Sequence, residues 1–146
     1  EEEAARELAA ATTALTEARN AEDQARVDLE RRRDAVRRCD HAAELELRDG
    51  ASVNDVAIRA SYRSRLVDER RQATESHDQA QDVTTARIEE RAEIQEALAE
   101  AVAQRTATEK LLEQAIAEAR KLAEDRIEEE TADLVASRIS RGGGVS

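Results

Sequence analysis

The chain contains no Pro, Phe, Trp or Met, and among its 146 residues there is one Tyr (Tyr62), one Cys (Cys39) and four Gly. Each scarcity excludes something. Without aromatics and Met, and with only 26 Leu, Ile or Val against 30 Ala, the apolar side chains are too small and too few to fill a three-dimensional core. The composition therefore argues against a compact enzyme-like globule. A lone Cys allows no intrachain disulfide and suits a reducing compartment. No run of about 18 apolar residues is present to span a membrane, and no basic, apolar leader opens the sequence. The absence of Met predicts that the sequence starts inside a longer natural chain. With no Pro, and with glycines only at Gly50 and at Gly142, Gly143 and Gly144, nothing interrupts two long stretches.

What is present is Ala, Glu, Arg and Leu, with 39% charged residues and a net charge of −11. That composition fits either a disordered chain or a coiled coil, and periodicity decides between them. One column of the first stretch reads Leu8, Leu15, Glu22, Leu29, Val36, Ala43. Its companion reads Ala11, Ala18, Ala25, Arg32, Cys39, Glu46. Alternating steps of three and four are the mark of a left-handed coiled coil, and a disordered chain has no reason to hold that phase. Large residues fill one column and small ones the other, so a partner helix can approach closely.

The spacing predicts a first helix over 1–48, a turn at 49–52, a second helix over 53–140 and a flexible tail at 141–146. Gly50 fits the left-handed position just past a helix end. Ser52, with Asp55 three residues on, has the form of a helix start, and Asn54 is a competing cap. So short a turn makes the helices antiparallel. Folding about Gly50 then sets Ala43 against Ile58, Cys39 against Tyr62, Leu29 against Ala73, Ala18 against Val83 and Leu8 against Ile94. It also sets Arg32 against Glu69, one polar intruder against the other. The seam thus includes Leu8, Leu15, Leu29, Val36, Tyr62 and Ile94, with Tyr62 as the plug opposite Cys39. The fold class expected is all-α: an antiparallel two-helix coiled-coil hairpin with a long, partly unpaired second helix.

Residues 98–139, about 60 Å of helix, lack a partner in this register yet retain Leu98, Leu112, Ile116 and Leu122 among other aliphatics. Such a stripe calls for completion by self-association, by a longer first helix or by another protein, so a homo-oligomer is expected. Charge is uneven. Residues 31–71 hold 11 Arg and 8 acids, net +3, and the remainder is net −14. Arg59, Arg63 and Arg70 belong to this basic turn end and, with Leu98, Leu112, Ile116 and Leu122, are the candidate partner-binding residues.

No chemistry rises above this. Cys39 and His41 point about 200° apart on a helix, which is not a zinc site. The carboxylates lack a sheltered pocket, and no phosphate-cradling Gly loop exists. The Arg clusters lack the aromatics and basic balance of a nucleic-acid binder. Catalytic, cofactor and metal residues are therefore expected to be none, with no small-molecule substrate, no nucleic acid and no membrane insertion.

The tight turn Asp49-Gly50-Ala51-Ser52-Val53, the segment Ala60-Ser61-Tyr62-Arg63 soon after it, and a long acidic return helix through Arg126-Ile127-Glu128-Glu129-Glu130 and Arg138 resemble one family over about residues 1–140. They are similar to the FliJ/YscO-type stalk proteins of bacterial type III secretion, in particular the Hrp branch of plant-associated bacteria. The resemblance implies a non-enzymatic central stalk, cytoplasmic and peripheral to the inner membrane. Such a stalk links a hexameric secretion ATPase to the export gate. It carries over no catalytic residues. A generic coiled-coil spacer or oligomerisation module, or an Arg-patch nucleic-acid binder, are the alternatives.

Overall fold

The structure, a computed structural model, describes residues 2–143. It consists of two α-helices packed as a hairpin, with no strands among the described residues. Helix α1 runs Glu2–Asp49 and helix α2 runs Val53–Gly142. Among the described residues, those up to Leu98 form one compact unit and those from Ala99 onward a second.

The turn follows from two capping devices. Gly50 takes φ +85°, open to glycine at little steric cost. Its amide donates to the Leu47 carbonyl at 3.4 Å, and the Ala51 amide donates to the Glu46 carbonyl at 3.1 Å. These two bonds are the Schellman pair that satisfies the last carbonyls of α1. Ser52 then caps α2. Its Oγ accepts from the Asp55 amide at 3.2 Å, and its hydroxyl donates to the Asp55 carboxylate at 2.7 Å. Asn54 is simply the second residue of α2. Helix α1 extends to Asp49 because Gly50 supplies the stop. Arg141 and Gly142 close α2, and of the flexible tail expected over 141–146, residues 144–146 lie outside the described residues.

Four side-chain contacts fix the antiparallel register: Arg32 with Glu69 at 2.8 Å, Arg63 with Asp40, Arg59 with Glu46, and Arg91 with Thr12 at 3.2 Å. On α1, shielding from solvent steps by fours and threes, through buried Ala11, Leu15, Ala18, Leu29, Val36 and Cys39 and half-buried Leu8, Glu22, Ala25 and Arg32. The matching face of α2 carries Leu66, Ala73 and Thr84, with Arg70, His77, Ala80, Arg91, Ile94 and Leu98 partly covered. Val36, Cys39 and Leu66 form the tightest cluster, flanked by Ala35 and Val67.

Three expected pairings are not formed. Ile58, Tyr62 and Val83 are 62%, 46% and 50% exposed and do not lie in the seam. The column Leu66, Ala73, Ala80, Ile94 admits two companion columns, one starting at Tyr62 and one at Arg63. The structure takes the second, which turns Tyr62 and Val83 outward by one residue, about 100° of helix; Ile58 lies outside both columns. The companion column is then Arg63, Arg70, His77, Thr84 and Arg91. From this column Arg63 and Arg91 reach polar partners on α1, Asp40 and Thr12. Leu66 takes the place beside Cys39 that the sequence reading assigned to Tyr62.

Candidate partner-binding surfaces

Near the turn, the candidate arginines are already engaged. Arg63 grips Asp40 through two donors, Nε to Oδ1 at 2.5 Å and Nη2 to Oδ2 at 3.3 Å. This fork-to-carboxylate geometry is the strong form of an ion pair. Its hydrogen bonding holds the Asp40 carboxyl below the usual carboxylate range, helped by the charges of Arg63 and Arg70, while Arg63 is pushed above the usual guanidinium value. Arg59 pairs with Glu46 across the hairpin. Arg59 and Arg63 are therefore fasteners between the helices, and a partner that used them would compete with intrachain acids. Arg70 is half-buried in the seam. The basic residues that project freely are others: among the described residues, no ion pair within 4.0 Å engages Arg31, Arg33, Arg38 or Arg48, all of which are exposed.

Between the helices beside the turn lies a small cleft of about 200 Å³, lined by Cys39, Ala43, Leu47, Ala51, Val56 and Ala60, with Arg59 and Arg63 at its edge. It exists because Ala occupies facing positions where a Leu would fill the gap. On the other side of the turn Tyr62 is open to solvent, with the Arg65 guanidinium 5.1 Å from its ring centroid, a cation–π contact. Ile58 is exposed beside it, and Leu47 and Val53 are exposed elsewhere near the turn.

Cys39 is buried, while His41 is exposed on the same helix, and His77 lies beside Asp78 at 4.0 Å. Among the described residues no group of three or more His, Cys, Asp or Glu could hold a metal ion. Among them, too, no helix is long and apolar enough to cross a membrane.

Of the expected contact residues, Leu98 is half-buried and closes the hairpin seam. Leu112, Ile116 and Leu122 are exposed, as is every described residue from Ala99 onward. Leu98, Leu112 and Ile116 lie on one face of α2. Leu122 falls well away from it by helical spacing. Along that face Arg105 donates to Glu109 at 2.8 Å, one turn later. The polar seam column on α2 is not among the expected seam residues. Its signal was available in the even seven-residue spacing of Arg63, Arg70, His77, Thr84 and Arg91, which looks solvent-facing when only apolar residues are counted. No family model, curated protein or solved structure matches this chain.

Proposed function

We propose that the chain is a non-enzymatic coupling stalk of a type III secretion ATPase complex, linking the hexameric ATPase to the export gate and so aiding protein export. The hairpin acts as a stiff spacer closed by Gly50 and Ser52, and residues 98–139 are the contact region. The observation that carries the reading is the exposure of every described residue from Ala99 onward, aliphatics included. Long helices do not usually keep such side chains in water without a partner. The resemblance around Asp49–Val53 and Ala60–Arg63 supplies the identity of that partner, and a place at the cytoplasmic side of the inner membrane.

The test is capture of the cognate secretion ATPase by the full chain and by a chain lacking residues 98–139, with ATPase turnover measured in parallel. The reading expects capture and altered turnover with the full chain only. Equal capture by both chains sinks the assigned contact. The same exposed aliphatics favour a second reading, a coiled-coil oligomerisation module unrelated to secretion. That reading expects self-association with no effect on the ATPase.

A further inference from the structure

The exposed face of α2 beyond the hairpin carries a second heptad seam, in a different phase from the first. The hairpin face of α2 follows the column Leu66, Ala73, Ala80, Arg87, Ile94 and its companion Arg70, His77, Thr84, Arg91, Leu98. Beyond Leu98 the second of these continues as Arg105, Leu112, Ala119, Arg126 and Asp133. Continuing the first would give Ala101, Thr108, Ala115, Leu122 and Glu129, which is poor in large apolar residues. One position later lies a better companion: Val102, Glu109, Ile116, Ala123, Glu130. The two columns alternate by fours and threes, as a coiled-coil seam requires. All of these residues are exposed.

We infer that a second copy of this chain lies antiparallel along this seam, with Ile116 opposite Ala119, Leu112 opposite Ala123, Glu109 opposite Arg126 and Arg105 opposite Glu130. In an antiparallel pair each layer joins one column to the other column of the partner. In this register every one of those layers is complementary, large against small or acid against base. Two-fold symmetry repeats each of them. A parallel, in-register pair would instead set Arg105 against Arg105 and Glu109 against Glu109, and likewise for Arg126 and Glu130, which is repulsive. The charges thus choose both the occupant and its direction, as Arg32 and Glu69 do within the hairpin. The outermost layer, Val102 opposite Asp133, is the one that gains nothing.

The size of the contact is compatible with a reversible dimer. The seam is about 50 Å long. A strip roughly 10 Å wide on each helix buries on the order of 1,000 Å² in total, near the lower bound for a specific interface. Arg105 and Glu109 already touch within one chain, so the dimer extends that pair into a four-residue network rather than burying a bare charge.

The inference stands independently of the secretion reading, and the experiments separate the two. The full chain is measured by light scattering over a wide concentration range, beside Arg105→Glu, Glu130→Arg and the double variant. Each single change breaks two symmetry-related pairs and is expected to weaken dimerisation roughly five- to tenfold, with recovery in the double variant. Loss of the Arg105–Glu109 contact alone predicts no such recovery. Spin labels are then placed one at a time at Gln114, Ala107 and Ala132, in a Cys39→Ala background. The antiparallel register expects axial separations between copies of about 10, 32 and 44 Å respectively. A parallel pair expects three equal short distances and overturns the proposal, as does a mass that stays monomeric throughout or a double variant no better than the singles. A monomer that still captures the ATPase keeps the stalk and removes the dimer. A dimer that captures nothing does the reverse.

Discussion

The two parts of α2 share composition and secondary structure but differ in what surrounds them. Up to Leu98 the helix has a covered face, packed on α1 through Leu66, Ala73 and Thr84. From Ala99 to Gly143 no described residue is covered. Both are helical because Ala, Glu, Arg and Leu favour the helix strongly and nothing between Val53 and Arg141 breaks it. Helicity in this chain is therefore no evidence of packing. Packing is reported by the phase of the apolar columns, and that phase changes near Leu98.

The largest effect expected from this contrast is on apolar truncation. Leu66→Ala removes the buried α2 member of the Val36–Cys39 cluster and is expected to cost about 2–3 kcal/mol, toward the low end for a buried Leu because a two-helix contact relaxes easily. Leu112→Ala, at a concentration where the chain is monomeric, is expected to change stability by less than about 0.5 kcal/mol, since Ala is at least as good a helix former in an exposed position. Urea melts followed by circular dichroism, with a label reporting hairpin opening, compare the two. Equal losses would mean that the two regions are not energetically distinct.

Gly50→Ala comes next. Nothing lies within 4 Å of the added Cβ, so the effect is purely that of a side chain at φ +85°, about 1 kcal/mol against the turn. The straight helical alternative costs Ala less than Gly by a similar amount. The variant is therefore expected to shift population from the closed hairpin to an open, intermolecularly paired rod. Labels at Leu8 and Ile94, close together in the hairpin, would report the shift. An unchanged distance and unchanged melting would show that the Schellman bonds and the Ser52 cap hold the turn without help from glycine.

Much of this hairpin was legible in the sequence because its determinants are local. Gly50, Ser52 and Asp55 specify the turn within a few residues, and the α1 columns need no knowledge of a partner. The facing of Arg32 and Glu69 was also readable, since each interrupts an apolar column. The companion column on α2 was not. Tyr62 and Val83 are apolar and sit at permitted spacing, so counting apolar residues selects them. The structure prefers Arg63 and Thr84 because an arginine stem can cover alanine and still deliver its charge to Asp40. That choice depends on which acids α1 presents across the gap, a property of the pair rather than of either helix. The same dependence hides from the sequence that Arg59 and Arg63 reach Glu46 and Asp40 across the hairpin.

A smaller effect is expected from the Arg32–Glu69 pair. Both side chains are about a third or more exposed, so solvent screening limits the contact to about 0.5–1 kcal/mol. A double-mutant cycle with Arg32→Gln and Glu69→Gln is expected to return a coupling of that size, weakened by added salt. Arg105–Glu109, an exposed pair within one helix at the same 2.8 Å, is expected to give about 0.3–0.5 kcal/mol in the monomer. Equal couplings would deny that bridging the hairpin adds anything to a contact of the same length.

The smallest effect expected is the acid sensitivity of the Asp40–Arg63 fastener. The folded chain holds the Asp40 carboxyl below its ordinary value of 3.8. A group whose pKa is lowered by folding contributes stability above its unfolded pKa and loses it as pH falls through the folded one. The contribution is thus complete at neutral pH and fades below about pH 4. Arg63, raised above the usual guanidinium value, stays charged throughout the acid range and adds no slope there. The quantity to measure is the stability of the wild-type chain minus that of Asp40→Asn. This difference is expected to be small and constant from neutral pH down to about pH 5, then to shrink toward zero in more acid solution. A difference that stays constant to pH 2 would mean that the neutral carboxyl serves Arg63 as well as the carboxylate does. The fastener would then act by shape and hydrogen bonding, and its charge would not distinguish the hairpin from the uncovered helix beyond it.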